Sequence, residues 1–188
     1  MKNKWLILLF LIGCLGIWAC NPSHSGTKEE LARNYYEALN SSDFERVAAL
    51  QFDSVRVKEG PFNTAYSVSD YVNWLQWDSV FRPEYEILNL KTNGDAVELT
   101  VSKVCQRIQF LNVGPMVSKE RIQFKDGKMY ALEIQEFVSF DGDGWNTKRD
   151  QLVNWIAEHH PELNGFINDQ SLQGGLNYQK ALELYQNR

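Results

Sequence analysis

The chain has 188 residues, of which 23% are charged and 44% hydrophobic, and a formal net charge of −5 at pH 7. That length fits one domain with an appendage, and the composition excludes a wholly disordered chain. The acidic balance argues against a general nucleic-acid binder, whose phosphate contacts need a basic surface, and three cysteines cannot build a disulfide framework. Aromatic residues reach 13%, including six Trp.

The chain opens on Lys2 and Lys4, then an uncharged run from Trp5 to Ala19. A basic start, a short apolar run and small residues before a polar turn read as an export signal over residues 1–19. The run is shorter than the roughly 20 residues that span a bilayer as a helix. Ile17-Trp18-Ala19-Cys20 resembles a bacterial lipoprotein box, in which the cysteine is lipidated and becomes the mature N-terminus. Leu11-Ile12-Gly13-Cys14 resembles the same box, but cleavage there leaves apolar residues 15–19 on the mature chain, so Cys20 is the expected lipidation site. Each buried methylene of such a lipid contributes about 0.8 kcal/mol of membrane affinity. The expectation is an envelope protein held at the membrane through Cys20 on the exported side, with residues 20–26 as a lipidated tether. Removing Lys2 and Lys4 makes the remainder more acidic still, which leaves the lipid as the expected membrane contact.

Thr27-Lys28-Glu29-Glu30 has the pattern of a capping box, and Leu31, Tyr35 and Leu39 follow at helical spacing. Asn40-Ser41-Ser42 breaks that helix, and Ser42-Asp43-Phe44-Glu45 repeats the capping pattern before a short second helix. Phe52 to Lys58 reads as a strand that turns at Glu59-Gly60-Pro61. A third helix starts at Ser67, carries Val68, Tyr71, Trp74 and Leu75 inward, and stops before Pro83. The period then changes from helical to two. Tyr85–Leu90, Ala96–Phe110, Val117–Phe124 and Met129–Phe140 read as strands of an antiparallel meander, with hairpin turns at Asn93-Gly94-Asp95 and Lys125-Asp126-Gly127-Lys128. In the second of these, the apolar parity changes after Val101. A bulge near Lys103 to Cys105 would reconcile the two halves and bend the sheet. Thr147–Glu158 and Tyr178–Tyr185 read as C-terminal helices.

Residues 32–43 (ARNYYEALNSSD), Phe52 to Val57 and Phe124 to Met129 resemble the first helix and its turn, the following strand and the last hairpin of the nuclear-transport-factor-2-like group. That group includes SnoaL-like cyclases and ketosteroid isomerases. The resemblance covers residues 27–140 and implies an α+β fold: a curved antiparallel sheet wrapped around N-terminal helices, forming a cone-shaped α+β barrel with a pocket. Residues 141–188 then form a C-terminal helical extension. Pairing of two copies through the sheet is common in the group, and both parities of the strands here carry apolar residues, so a second covering surface is expected. Either the extension or a partner chain would cover the second face.

Tyr35, Tyr36, Phe62, Tyr66, Trp74, Trp77 and Phe81 come from elements that would line the cone. The expected ligand-binding residues are Tyr35, Phe62, Trp74 and Trp77, with Arg107 as a polar contact, and the expected ligand is small and partly apolar. The resemblance to isomerases implies an alternative: Tyr35 as oxyanion donor and Glu59 as proton shuttle. Glu59 is displaced by Gly60 from the family's place before a Pro, and a second protonated acid has no evident counterpart. A module that docks other proteins through its outer sheet is a third reading. No cofactor and no metal are expected. Asp141-Gly142-Asp143-Gly144 lacks the later ligands of a calcium loop and reads as a turn, with Asn146 or Thr147 capping the helix beyond. Adjacent His159 and His160 diverge by about 100° on a helix. Cys105 reads as a buried structural residue.

Overall fold

The computed structural model describes residues 26–188. The expected signal, Cys14 and Cys20 lie outside the described residues. Among the described residues, no helix is long and apolar enough to cross a membrane.

Helix α1 (Lys28–Asn40) starts at the expected capping box. Thr27 Oγ1 accepts from the Glu30 amide at 3.2 Å, and Glu30 Oε2 accepts from the Thr27 amide at 2.7 Å. The helix buries Leu31, Ala32, Tyr35, Tyr36, Ala38 and Leu39. Helix α2 (Phe44–Ala49) is capped by Asp43, which accepts from the Arg46 amide at 2.9 Å. The expected cap, Ser42, instead takes a positive φ of 53° in the turn, a conformation that a capping residue does not use.

Strand β1 (Gln51–Glu59) hairpins into β2 (Phe62–Ser67), an edge strand that the sequence reading does not contain. Ser67 caps α3 (Val68–Ser79). Strands β3 (Glu84–Asn93), β4 (Ala96–Val104), β5 (Met116–Lys125) and β6 (Lys128–Ser139) form the expected antiparallel meander. The sheet order is β2-β1-β6-β5-β4-β3. One pair departs from the meander, because β1 runs parallel to β6. Residues 60–127 lie between those two strands, so the chain has length enough to return in the same direction.

The fold class is the expected one: α+β, with a curved, unclosed sheet around N-terminal helices and helices at the C-terminus. Its irregularities lie between Gln51 and Arg56 on β1, between Ile87 and Asn89 on β3 and at three places along the β5–β6 pair. The bulge expected at Lys103 to Cys105 is something else. The strand ends at Val104, and Cys105 caps a short helix, α4 (Gln106–Leu111), with its Sγ accepting from the Ile108 amide at 3.4 Å. The change of parity is a change of element, and Arg107 stands on a helix.

Two apolar cores result. One lies between α1–α3 and the sheet and includes Tyr35, Tyr71, Val97, Val101 and Ile122. The other joins Trp77, Phe81, Cys105 and Ile108 to the C-terminal segment. That segment holds α5 (Gly142–His159), two short 3-10 turns and α6 (Leu172–Gln186). It packs against α3 and α4. Helix α5 begins earlier than expected, with Asp141 as its cap accepting from the Gly144 amide at 2.9 Å. The Gly-Asp-Gly run is therefore its first turn, and neither Asn146 nor Thr147 caps it.

Candidate functional site

A partly open cavity of about 350 Å³ lies where the two cores meet. Helix α1 contributes Tyr35 and Tyr36, and α3 contributes Tyr71, Trp74, Trp77 and Asp78. Lys103 comes from the end of β4, Arg107 from α4, Glu120 from β5 and Glu59 from the end of β1. Trp145 and Gln170 of the C-terminal segment complete the wall.

Four of the five expected residues, Tyr35, Trp74, Trp77 and Arg107, therefore line one space. Phe62 does not. It sits on edge strand β2, opposite Glu59 of β1, and is 48% exposed. Tyr66 stacks on Trp74 at 6.2 Å, and Phe81 is buried in the second core. His159 stacks on Trp155 at 4.7 Å, and His160 Nδ1 lies 3.3 Å from Glu162.

The polar groups form three sets. Asp78 is 4% exposed. Lys103 Nζ donates to both its oxygens, at 2.9 and 2.7 Å, and the Tyr85 hydroxyl donates to one at 3.0 Å. Burial pushes the Asp78 carboxyl up, but Lys103 and Arg107 outweigh it and hold the group below its ordinary 3.8. Glu120 is also buried, at 8% exposed. The Ser118 hydroxyl donates to it at 2.6 Å, and the Tyr36 hydroxyl donates to its other oxygen. These are neutral donors, and burial prevails, raising Glu120 above its ordinary 4.5. The third set is Tyr35 and Tyr71, whose hydroxyls lie 2.5 Å apart. Burial keeps both protonated through the physiological range. One hydroxyl donates to the other, so one proton of the pair is left to offer.

Glu59 is solvent-accessible, yet partial desolvation of its carboxyl raises it from 4.5, while Arg107 and Lys103 pull it back. The Arg107 guanidinium packs on the rings of Trp77 at 4.9 Å and of Phe81 and Trp145 at 5.5 Å. Its Nε is buried without a partner, as is Trp77 Nε1. The cavity thus offers apolar walls, two cations, one firmly ionised acid and two acids held above their ordinary range.

No family model matches the chain, and no curated protein matches it. Solved structures do. A proposed polyketide cyclase from Sinorhizobium meliloti superposes with a TM-score of 0.50 at 17% identity, over 56% of this chain and 94% of that one. An uncharacterised cystatin-fold protein from Novosphingobium aromaticivorans gives 0.51 at 13% identity, over 59% and 99%. An NTF2-like protein of unknown function from Cytophaga hutchinsonii gives 0.49 at 14%, over 59% and 89%. What the chain shares with the first two is a fold, a curved sheet wrapped around helices. Likeness at such identities assigns a fold and no activity.

Asp78, Lys103, Glu120 and Trp145 line the cone without being among the expected site residues, and the two acids each leave a signal. Asp78 follows Tyr71, Trp74 and Leu75 on the apolar stripe of α3. Glu120 shares the buried parity of Ser118, Ile122 and Phe124 on β5. A charge on an apolar face needs a partner, and each has one.

Proposed function

We propose that the protein is a membrane-tethered binding domain of the bacterial envelope that holds a small, partly apolar molecule in the cone. The observation that carries this reading is the cavity of about 350 Å³, walled by aromatic rings and furnished with a few fixed polar groups. Small-molecule sites have this make-up and a volume of roughly 300–1,000 Å³. The tether belongs to the proposal: a lipid on Cys20 and a short run to residue 26 would keep the cavity close to the bilayer.

Native mass spectrometry of the full chain, purified in detergent from a bacterial host, tests it. The expected result is a co-purifying small molecule, or a thermal shift of several degrees with members of a small-molecule panel, reduced by Trp74→Ala. No bound molecule and no shift across the panel would overturn it. The same spectra read whether two copies pair through the sheet.

Glu59 and Glu120, both held above their ordinary range, favour a second reading, in which the bound molecule exchanges a proton. Glu59 would act as the base, and the Tyr35–Tyr71 pair would supply the donor. Deuterium entering C–H positions of the bound molecule in D2O, and failing to enter with Glu59→Gln, supports this reading. The absence of exchange in the wild type removes it.

A further inference from the structure

We infer that the cavity's ligand carries a carboxylate, held by the Arg107 guanidinium, with its apolar body against the aromatic wall. This rests on the binding reading above and adds the chemical class of the ligand.

The inference starts from an unequal division of partners. Asp78 is the only acid within ion-pair distance of Arg107 among the described residues, and it is already taken. Lys103 occupies both its oxygens and Tyr85 donates to one. The nearest Arg107 nitrogen stays at 3.9 Å, beyond hydrogen-bond reach. No hydrogen bond from Arg107 to any described residue is formed, and its Nε is sealed from solvent. The side chain is only 21% exposed. A guanidinium has five N–H donors and no other chemistry with which to satisfy them. Leaving the sealed Nε unpaired is costly, and the two Nη groups, which are not sealed and have no partner among the described residues, are placed to take an acceptor from outside the chain.

The surroundings also define the acceptor. Trp77, Phe81 and Trp145 pack on the guanidinium and fix its plane, which leaves its edge as the recognition surface. A planar carboxylate matches such an edge with two parallel hydrogen bonds. A phosphate is disfavoured: it would bring a second negative charge among Asp78, Glu59 and Glu120, with Lys103 already engaged. The cations and aromatic rings sit in one cavity, so a single molecule with an acidic head and an apolar body can meet both. Trp145 belongs to α5, so the C-terminal segment helps to hold the anchor in position.

A matched pair of probes tests this: 3-phenylpropanoate and 3-phenylpropanamide, titrated calorimetrically into the full chain in detergent. They share a body and differ in the charge of the head. On the wild type the acid is expected to bind about tenfold more tightly than the amide, or better, as befits a charge-assisted pair. Arg107→Gln is expected to erase that ratio, and Arg107→Lys to restore only part of it, because an ammonium cannot form the bidentate pair. The wild-type comparison stands even if a variant fails to fold. Equal affinity for the two probes, or a ratio unchanged in Arg107→Gln, overturns the inference while leaving the binding reading in place. Binding of neither probe also overturns it. If a panel of neutral molecules is equally silent, the binding reading falls too.

Discussion

Asp78 and Glu120 line the same cavity and are buried to nearly the same extent, yet their environments drive their titrations apart. Asp78 faces a lysine, whereas Glu120 faces two hydroxyls. The consequence for stability has a definite sign. Glu120 binds its proton more tightly when folded than its ordinary 4.5. Above that pH the folded state retains a proton that the unfolded state has lost, so this group lowers stability as pH rises, until its folded pKa is passed. Glu120→Gln keeps an acceptor for one of the two hydroxyls, offers its amide N–H to the other, which can accept, and has no charge to bury. Its stability relative to wild type should therefore climb from about pH 4.5 upward and then level off, as read by urea unfolding across pH. A difference that stays flat with pH would show that Glu120 is not held in its protonated form. Asp78 works in the opposite direction, since its contribution is present above 3.8 and is lost as pH falls through its lowered value.

At the scale of elements, the joint between α3 and α6 is tight at Gly175. A Cβ there would meet the Trp77 carbonyl oxygen at 2.9 Å and the Val80 Cγ2 at 3.1 Å. Alanine in a helix interior ordinarily gains about 1 kcal/mol over glycine. Here it must push α6 away from the carbonyl of a cavity residue, and overpacking of this kind costs about 1–3 kcal/mol. Gly175→Ala is expected to lower the melting temperature, by roughly 2–4 °C for each kcal/mol lost. A rise would show that the helices separate freely. The same scale explains what could be read from residues alone. Helix α1 was legible because Thr27, Glu30, Leu31, Tyr35 and Leu39 agree on one start and one face. Helix α4 was not, because Val104, Ile108 and Phe110 have spacings that suit a strand parity and a helix turn alike. A strand reading of this segment puts Arg107 on β4, whereas it stands on α4, in the cavity wall. Strand β2 alternates only weakly between a turn and a helix cap, so the sequence does not reveal that Phe62 is exposed on an edge strand. Glu120 carries a signal of parity and none of motif, which is why the sequence reading passes over it.

Across the whole molecule, the cavity lies between two cores, and Trp77 belongs to both its wall and the second core. The cone alone would leave that side uncovered, and the C-terminal segment supplies Trp145 and Gln170 to close it. The proposed anchor acts at this scale too. A Cys20→Ala variant should leave the membrane fraction for the soluble one, as followed by ultracentrifugation and blotting. Continued sedimentation with membranes would move the lipid elsewhere or remove it. One feature of the sheet also governs the order in which the molecule can be assembled. The inner edge of β1 is satisfied by β6, with Val57 opposite Leu132, and the Leu50 carbonyl accepts from the Met129 amide at 2.8 Å. Both partners of that edge cannot exist until the chain has been synthesised past residue 128. Until then β1 has only its local hairpin with β2. Non-local pairing of this kind slows folding, because the loop must close before any contact rewards it. The first third of the domain thus spends its early life with an unpaired strand edge, open to pairing with another nascent copy, and the last strand of the sheet is the one that removes that hazard.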